Sequence, residues 1–478
     1  MAEAPLFDLA GRRRIHLVGI GGAGISAIGV ILATMGHEVT GVDLNETPAW
    51  PSLVAAGVHP SVVGPSELFS GADAAAADAL AHSTAFPPSE TDRRSLEEAG
   101  TQVLDRAGIL AAICAARTTV AVSGTHGKTS TTAMLATLLE GAGADPSFLV
   151  GAVPLGLGRA AAWSEAGSFV VEADESDGTF LRLGAEVAVV TNVDEDHLDY
   201  WHDLDAIEAA FDRFVASAPR SVVCIDDPRG GDGPDPRAAR IAAAHGSLTV
   251  GECAEARLRV LDVRVERLDT TFDLLLDDAS LGPVRVGTPG RHHARNAAVA
   301  IGVAVGMGVE PTSAIEAIAS YRGVSRRFEV QGEVGGATVV DDYAHNPGKV
   351  RALLASAREA GWGRVVALFQ PHRYSRTRDH VAEFGQALAL ADVVAVTEVY
   401  AAGEAPIPGV SGRLLVDAVL DERPWAEVAW VPTLDDAGAW ARTVLRPGDL
   451  VLTVGAGDVW RVGRDLVAQQ EAEGGGRG

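Results

Sequence analysis

Residues 123–130 read Ser-Gly-Thr-His-Gly-Lys-Thr-Ser, a glycine-bearing loop ending in one lysine and two hydroxyls. Thr118 to Val122, before it, are mostly β-branched and suit a buried strand. Thr131 to Leu139, after it, carry Ala, Met and Leu and stop at Gly141 and Gly143, as a helix would. A loop that feeds a helix N-terminus presents unpaired N–H groups and a partial positive charge, and Gly124 and Gly127 let a phosphate chain approach the backbone. Gly124, Thr125, His126, Gly127, Lys128, Thr129 and Ser130 therefore read as a nucleotide loop. Lys128 would reach the β- and γ-phosphates, and the Thr129 hydroxyl would ligate Mg2+. The general pattern has a glycine five residues before Gly127, where this chain has Val122, so the loop is a shorter variant. The plainer alternative, a turn whose lysine is merely solvated, has the order of strand, loop and helix against it.

Two further segments bear on the same chemistry. In SFVVEADESDGTF an apolar strand, Phe169 to Val171, delivers Glu172, followed by Asp174, Glu175 and Asp177. Carboxylates at the C-terminal edge of a parallel sheet face the crevice where ligands bind. In VAVVTNVDEDHLDYW a strand ends at Asn192 and is followed by His197, so Glu172 and His197 would bring a carboxylate and an imidazole to the Mg2+ region. Without the loop, a solvated acidic turn and a hydrogen-bonded histidine would be the better readings.

The same edge argument applies at both ends of the chain. RRRIHLVGIGGAGISAIGVILATMGHEVTGVD runs a strand into Gly19, Gly21 and Gly24, then a helix, then a strand ending at Asp43, which is a Rossmann-like βαβ unit. Its glycines and acid would ordinarily suggest NAD; physically they establish a diphosphate-sized anion site at a helix N-terminus. From about 323 onward, strands are predicted near 337–342, 364–369, 392–397, 426–431 and 449–454, with helices between. Their ends carry DDYAHNP, FQPHRYSRT and VGAGDVW. Arg373, Arg376 and Arg378 could be a surface basic turn, yet guanidinium groups at the ligand end of a parallel sheet suit carboxylate or phosphate.

These segments need a large α/β scaffold, and the chain is long enough for one. At 478 residues, about three domains are expected. A net charge of −25 argues against nucleic-acid or membrane-surface partners. Small anions remain admissible, because screening over roughly 8 Å leaves local charges in control. Cys114, Cys224 and Cys253 are far apart and form no CxxC pair, which predicts free thiols. MAEAPLFDLAGRRR lacks the apolar core of a signal peptide, and no stretch nears the roughly 20 apolar residues of a membrane span, so a cytoplasmic protein is expected. Within the chain, GADAAAADALAHSTAF predicts a strand and residues 226–238 a Pro/Gly/Asp-rich surface loop. The alternation in LRVLDVRVERLDTTFDLLLDD predicts an antiparallel hairpin, and Ser313 with Glu316 a capping box.

Taken together, the segments resemble the Mur ligase family over nearly the whole chain. HLVGIGGAGISAIG, GTHGKTSTT, EADESD, NVDEDHLDYW, RRFEV, DDYAHNP, FQPHRYSRT, YAAGEAPIPGVSG and GAGDVW occur in the family's order and spacing. The resemblance implies an α/β protein of three domains: a Rossmann-like UDP-sugar-binding domain over 1–115, a P-loop-type ATPase domain over 116–322 and a Rossmann-like amino-acid-binding domain over 323–478. It assigns Gly19, Gly21, Gly22, Ala23, Gly24, Asp43 and Ser83 to the sugar nucleotide, so Asp43 need not be an NAD-binding acid. Lys128 would contact the ATP phosphates, Thr129 and Glu172 one Mg2+, and Glu172 with His197 a second. Asn296 matches an adenine contact, Arg327 a phosphate contact and Asp342 a ribose contact. Tyr343, His345, Arg373 and Arg376 match positions near the incoming amino acid. His293 stands where the family usually has Asn, Asn346 where a second His is common, and HSTAF replaces a Ser-Ser-Ala-Ile turn.

The activity implied is ATP-driven amide synthesis between the lactyl carboxylate of UDP-N-acetylmuramate and L-alanine, through an acyl phosphate, in peptidoglycan precursor synthesis. Lys128, Glu172, His197, His345, Arg373 and Arg376 would carry it, in a monomer or weak homodimer. The rivals are a recycling ligase that adds a tripeptide to the same sugar nucleotide, an NAD-dependent dehydrogenase, and a regulatory protein with a damaged phosphate site. Other ligases of the family resemble one another in using a carbamylated lysine at the metals. Only Lys128 and Lys349 are lysines among the 39 basic residues here, so a metal site without carbamate is expected.

Overall fold

The computed structural model describes residues 6–475 apart from 229 and 232. It forms two compact units, Met1–Asp262 with Phe272–Arg285 and Ala294–Tyr321, and Val263–Thr271 with Val286–His293 and Arg322–Gly478. Three sheets organise the chain.

The first sheet contains β1 (Arg14–Val18), β2 (Glu38–Asp43), β3 (His59–Val62), β4 (Ala79–His82) and β5 (Gln102–Asp105), in the order β3-β2-β1-β4-β5. All neighbours are parallel, and Val18 stands level with Val42 and His82, and His82 with Asp105. Gly19, Asp43, Ser83 and Arg106 therefore leave the sheet at one edge. The strand order reverses between β1 and β4, the point where such sheets open a ligand crevice.

The second sheet contains β6 (Thr119–Ser123), β7 (Ser147–Leu149), β8 (Ala161–Ala162), β9 (Phe169–Glu172), β10 (Val187–Val190), β11 (Arg220–Cys224), β12 (Leu248–Gly251), β13 (Leu258–Glu266), β14 (Asp269–Leu276) and β15 (Ala279–Val286). Their order is β15-β14-β13-β12-β11-β10-β6-β9-β7-β8. The middle strands are continuous runs of Val and Ala with no exposed face, as a sheet covered on both sides requires. Register aligns Val122 with Glu172 and Ser123 with Val190, so the loop after β6, the acid ending β9 and the turn after β10 meet at one edge. The predicted hairpin is β13 and β14, joined by a two-residue turn.

The third sheet contains β16 (Glu329–Val334), β17 (Ala337–Asp342), β18 (Arg364–Phe369), β19 (Val393–Val396), β20 (Glu427–Trp430) and β21 (Asp449–Val454), in the order β16-β17-β21-β18-β19-β20. Val454 is level with both Asp342 and Phe369, and Phe369 with Val396, which again gathers the strand ends. Five of these strands lie within a residue of their predicted positions. The sixth, β16, was not predicted: its sequence EVQGEV has little apolar alternation, and it is held as an antiparallel edge with a register shift between Val330 and Gly332.

Two local expectations need correction. The helix Pro311–Ile318 is capped by Glu310, which accepts from the amides of Thr312 and Ser313, and not by a Ser313–Glu316 box. Pro311, with its fixed φ and no N–H to satisfy, starts the helix earlier than the box would allow. For the same reason the helix Pro236–His245, capped by Asp235, begins inside the stretch expected to be a loop. Glu310→Ala is accordingly expected to lower the urea midpoint of unfolding, whereas Ser313→Ala, which removes the hydroxyl of the supposed cap, leaves it within error.

Candidate active site

The loop after β6 is shaped by two glycines in left-handed conformations. Gly124 (φ +130) is packed so that a Cβ would drive into Thr191 Oγ1, and Gly127 (φ +84) so that one would lie 2.9 Å from Asn296 Oδ1. Asn296, the expected adenine contact, is thus against the loop. Thr191 and Asn192, at the end of β10, fasten the loop from the side. Thr191 Oγ1 and Asn192 Nδ2 donate to the His126 carbonyl at 2.5 and 2.8 Å, and the His126 amide donates to Asn192 Oδ1 at 2.9 Å. Thr125 is tied to Asp194 in both directions, through its hydroxyl to the carbonyl and from the amide back to Oγ1.

Lys128 and Thr129 open the helix Lys128–Gly141, which has no side-chain cap at Gly127. Lys128 Nζ donates to the carbonyls of Gly124 and Thr125 at 2.9 and 3.3 Å and pairs with Glu175 Oε2 at 2.5 Å. Glu175 is only 3% exposed; burial pushes its carboxyl up, against the pull of Lys128. Thr129 Oγ1 donates to Glu172 Oε1 at 2.9 Å, and the Gly151 amide to Glu172 Oε2 at 2.7 Å. His197 Nε2 is 3.9 Å from Glu175 Oε1 and from Asp196 Oδ2. Lys128, Thr129, Glu172 and His197 are therefore brought together, with Glu175 as an added member. The sequence reading named that acid without giving it a role, since four acids in six residues do not reveal which one turns inward.

The hydroxyl–carboxylate pair of Thr129 and Glu172 is a hard-oxygen donor set that suits Mg2+. Among the described residues no group of three or more His, Cys, Asp or Glu side chains could hold a metal ion by itself. A cation here would thus complete its shell with phosphate and water oxygens, as Mg2+ commonly does.

At the edge of the first sheet, Gly22 is the extended N-cap residue of the helix Ala23–Thr34, with no side-chain cap. The amides of Ala23 and Gly24 point from this terminus. Gly19 (φ +78) leaves no room for a Cβ, which would lie 2.8 Å from Ser83 Cβ. Asp43 accepts from Gly21 N at 2.8 Å and Leu44 N at 2.7 Å, so its oxygens shape the turn.

In the second unit, Asp342 Oδ2 accepts from Phe328 N and Oδ1 from Ala344 N, each at 2.8 Å. Burial raises its carboxyl, against those bonds and the nearby Arg327 and Arg326. Arg326 (φ +61) was not singled out from the sequence, although the Arg-Arg doublet is its signal. It donates to Asp341 Oδ2 at 3.1 Å and to the Gly455 carbonyl at 2.7 Å, and it lies 4.9 Å from the Tyr343 ring centroid. Arg373 (φ +72) donates its amide to the Tyr400 carbonyl, and Arg376 lies 3.3 Å from His372 Nδ1. The His345 and His372 rings are 5.6 Å apart, and His372 stacks on Tyr400. Burial pushes His345 down to about 4, with Arg376, Lys349 and His372 adding to the effect and the Tyr343 carbonyl opposing it. Arg376 is lowered by burial and by Arg373, the electrostatic mark of a pocket that would welcome an anion. Two departures also find their reasons: His293 is buried on the Pro289 carbonyl, and Asn346 caps the helix Pro347–Glu359 through the Lys349 amide.

Three family models match the chain: "Mur ligase family, catalytic domain" over 14–118, "Mur ligase middle domain" over 122–304, and "Mur ligase, glutamate ligase domain" over 326–457. UDP-N-acetylmuramate–L-alanine ligase of Acidothermus cellulolyticus is 44% identical, covering 93% of this chain and 92% of its own. The enzyme of the same name from Kineococcus radiotolerans is 42% identical, covering 95% of each. Among solved structures, a UDP-N-acetylmuramate–alanine ligase from Thermotoga maritima aligns with a TM-score of 0.77 at 25% identity, covering 96% of this chain and all of that one. A murein peptide ligase from Psychrobacter arcticus shares the fold, with a TM-score of 0.63 at 23% identity and coverage of 95% and 98%.

The packing of the loop predicts a contrast between two glycines of positive φ. Gly124→Ala adds a clash with Thr191 to backbone strain and should cost more than about 2 kcal/mol and weaken binding of an ATP analogue. Gly143→Ala, where the added methyl meets nothing within 4 Å, should cost about 1 kcal/mol and leave analogue binding intact. Thermal unfolding and calorimetric titration measure both.

Proposed function

The chain belongs to the Mur ligase family, and we propose that it joins L-alanine to the lactyl carboxylate of UDP-N-acetylmuramate at the expense of ATP. The observation that carries this reading is the cluster at one strand edge in which Lys128 Nζ pairs with Glu175 Oε2 at 2.5 Å and Thr129 Oγ1 donates to Glu172 Oε1 at 2.9 Å. A dehydrogenase has no use for that cluster, and the relatives over 40% identical bear the alanine-adding name rather than the tripeptide-adding one.

In the first step the lactyl carboxylate attacks the γ-phosphorus, forming an acyl phosphate and releasing ADP. Two anions must meet, so the ammonium of Lys128 has to stand by the transferring group and offset its charge. Thr129 and Glu172 would hold Mg2+, with His197 serving a second ion; bound there, the metal supplies charge neutralisation and alignment of the phosphates. Asn296 and Arg327 contact adenine and phosphate, and Asp342 the ribose. In the second step the amine of alanine attacks the activated carbonyl and phosphate departs. Arg373 and Arg376 fix the alanine carboxylate so that the amine points at that carbonyl, beside Tyr343. His345 Nδ1 lies 2.8 Å from the Tyr343 carbonyl and must donate to it, which makes Nε2 the ring's acceptor. With its pKa near 4 the ring is neutral at neutral pH and can take the ammonium proton only transiently.

The reading covers three domains, 1–115, 116–322 and 323–478, and a monomer or weak homodimer working in the cytoplasm on precursors of peptidoglycan. No described helix is long and apolar enough to cross a membrane. Phosphate release measured with ATP, Mg2+, UDP-N-acetylmuramate and each amino acid or tripeptide in turn tests it. L-alanine should support turnover and the tripeptide should not; tripeptide preference would move the chain to the recycling branch. Lys128→Ala should slow turnover by more than roughly 3 kcal/mol in barrier while UDP-N-acetylmuramate still binds.

The metal site is expected to function without carbamate. Lys128 is committed to phosphate, and Lys349 lies exposed in the first turn of the helix Pro347–Glu359. Activity should survive Lys349→Arg and be indifferent to added bicarbonate; silencing by bicarbonate depletion would defeat this account of the metal site.

A further inference from the structure

Arg106 opens the helix Arg106–Ala115 directly after β5, at the edge that also carries Gly19, Asp43 and Ser83. Its side chain runs past the third glycine of the N-terminal turn: a Cβ on Gly24 would lie 3.5 Å from Arg106 Cδ and 3.8 Å from Nη1. The far side of the same guanidinium holds the acidic loop after β9. Nη2 donates to Asp177 Oδ2 at 3.0 Å and lies 3.4 Å from Thr179 Oγ1. Burial tends to raise Asp177, but hydrogen bonds from Thr179 and the pull of Arg106 keep its carboxyl below the ordinary range, so it is ionised. Two residues earlier in that loop, Glu175 holds Lys128. One short acidic segment thus grips a cation beside the glycine turn and the cation of the nucleotide loop.

The glycine turn itself offers amides and a helix terminus, while Asp43, bonded to Gly21 N, adds a negative charge beside it. A diphosphate placed there needs a compensating cation, and a guanidinium can bind a phosphate with one edge while keeping a carboxylate on the other.

We propose that Arg106 binds the diphosphate of the sugar nucleotide, and that its bond to Asp177 couples occupancy of that site to the loop that follows Glu172 and carries Glu175. The proposal rests on the reading of the N-terminal turn as the sugar-nucleotide site. The bound diphosphate, Arg106 and Asp177 form a chain of charge-assisted hydrogen bonds that fixes the loop Lys128 depends on. The coupling is reciprocal, so an occupied nucleotide loop raises affinity for the sugar nucleotide.

Calorimetric titration of the full chain with UDP-N-acetylmuramate, UDP and uridine, each with and without Mg2+ and a non-hydrolysable ATP analogue, tests this. Arg106→Met should weaken UDP-N-acetylmuramate and UDP by ~10-fold or more, leaving uridine and the ATP analogue within about twofold. Arg106→Lys should recover part of the loss. Asp177→Asn should keep UDP affinity within about threefold but abolish the gain brought by the ATP analogue. Wild-type affinities in Arg106→Met overturn the proposal alone. Equal losses for uridine and UDP, unrelieved by lysine, would make Arg106 a structural prop and overturn it too. If the wild-type chain binds neither UDP-N-acetylmuramate nor UDP, the sugar-nucleotide reading falls first and takes the proposal with it.

Discussion

The ammonium of Lys128 is the charge around which the loop after β6 and the acidic turn after β9 are arranged. It has three N–H donors, and the structure provides three acceptors, the carbonyls of Gly124 and Thr125 and the carboxylate of Glu175. A half-buried cation without an anion would be costly, because desolvation is recovered only through close pairing. Glu175 supplies that anion, and its own burial is tolerable only because Lys128 is there. Its carbonyl is in turn fixed by Trp201 Nε1 at 2.9 Å. The nucleotide loop, the acidic turn and the segment from Thr191 to Trp201 are consequently one assembly closed on the lysine.

The register of parallel strands makes this arrangement possible. Because Val122 is level with Glu172 and Ser123 with Val190, three separate segments emerge at one edge without long loops to bridge them. The same device recurs in the first and third sheets. Where backbones then approach most closely, a side chain is excluded, which is why Gly124 and Gly127 are confined by Thr191 and Asn296.

This explains which parts were legible in the sequence. Runs such as Val187–Val190 and Val393–Val396 announce buried strands, and the glycines of the Ser-Gly-Thr-His-Gly-Lys-Thr-Ser loop announce the turn between strand and helix. What β16 does was not legible, since an edge strand without alternation is specified by its neighbour rather than by its own residues. Nor was the cap of the helix Pro311–Ile318, where a backbone constraint at proline overrode a plausible side-chain pattern. Glu175, Arg106 and Arg326 escaped for a common reason: each works through a partner far away in sequence, and only the folded chain reveals Lys128, Asp177 and Asp341 as those partners.

A chain of net charge −25 that takes anionic substrates must keep its cations local, and each relevant cation has a carboxylate nearby. Lys128 has Glu175, Arg106 has Asp177, and Arg376 has Glu404 within electrostatic reach. With screening over roughly 8 Å, the acidic surface beyond these pairs contributes little to binding. A stray anion gains little by displacing a carboxylate already in place; a ligand that also finds amides and a helix terminus gains much. The division between the two basic residue types follows the same logic. Arginine stands where a planar fork can reach several acceptors at once, as Arg106 does with Asp177 and Thr179, whereas the loop after β6 needs a compact ammonium whose donors diverge toward two carbonyls and one carboxylate. A guanidinium in place of Lys128 could not satisfy those three directions from one nitrogen.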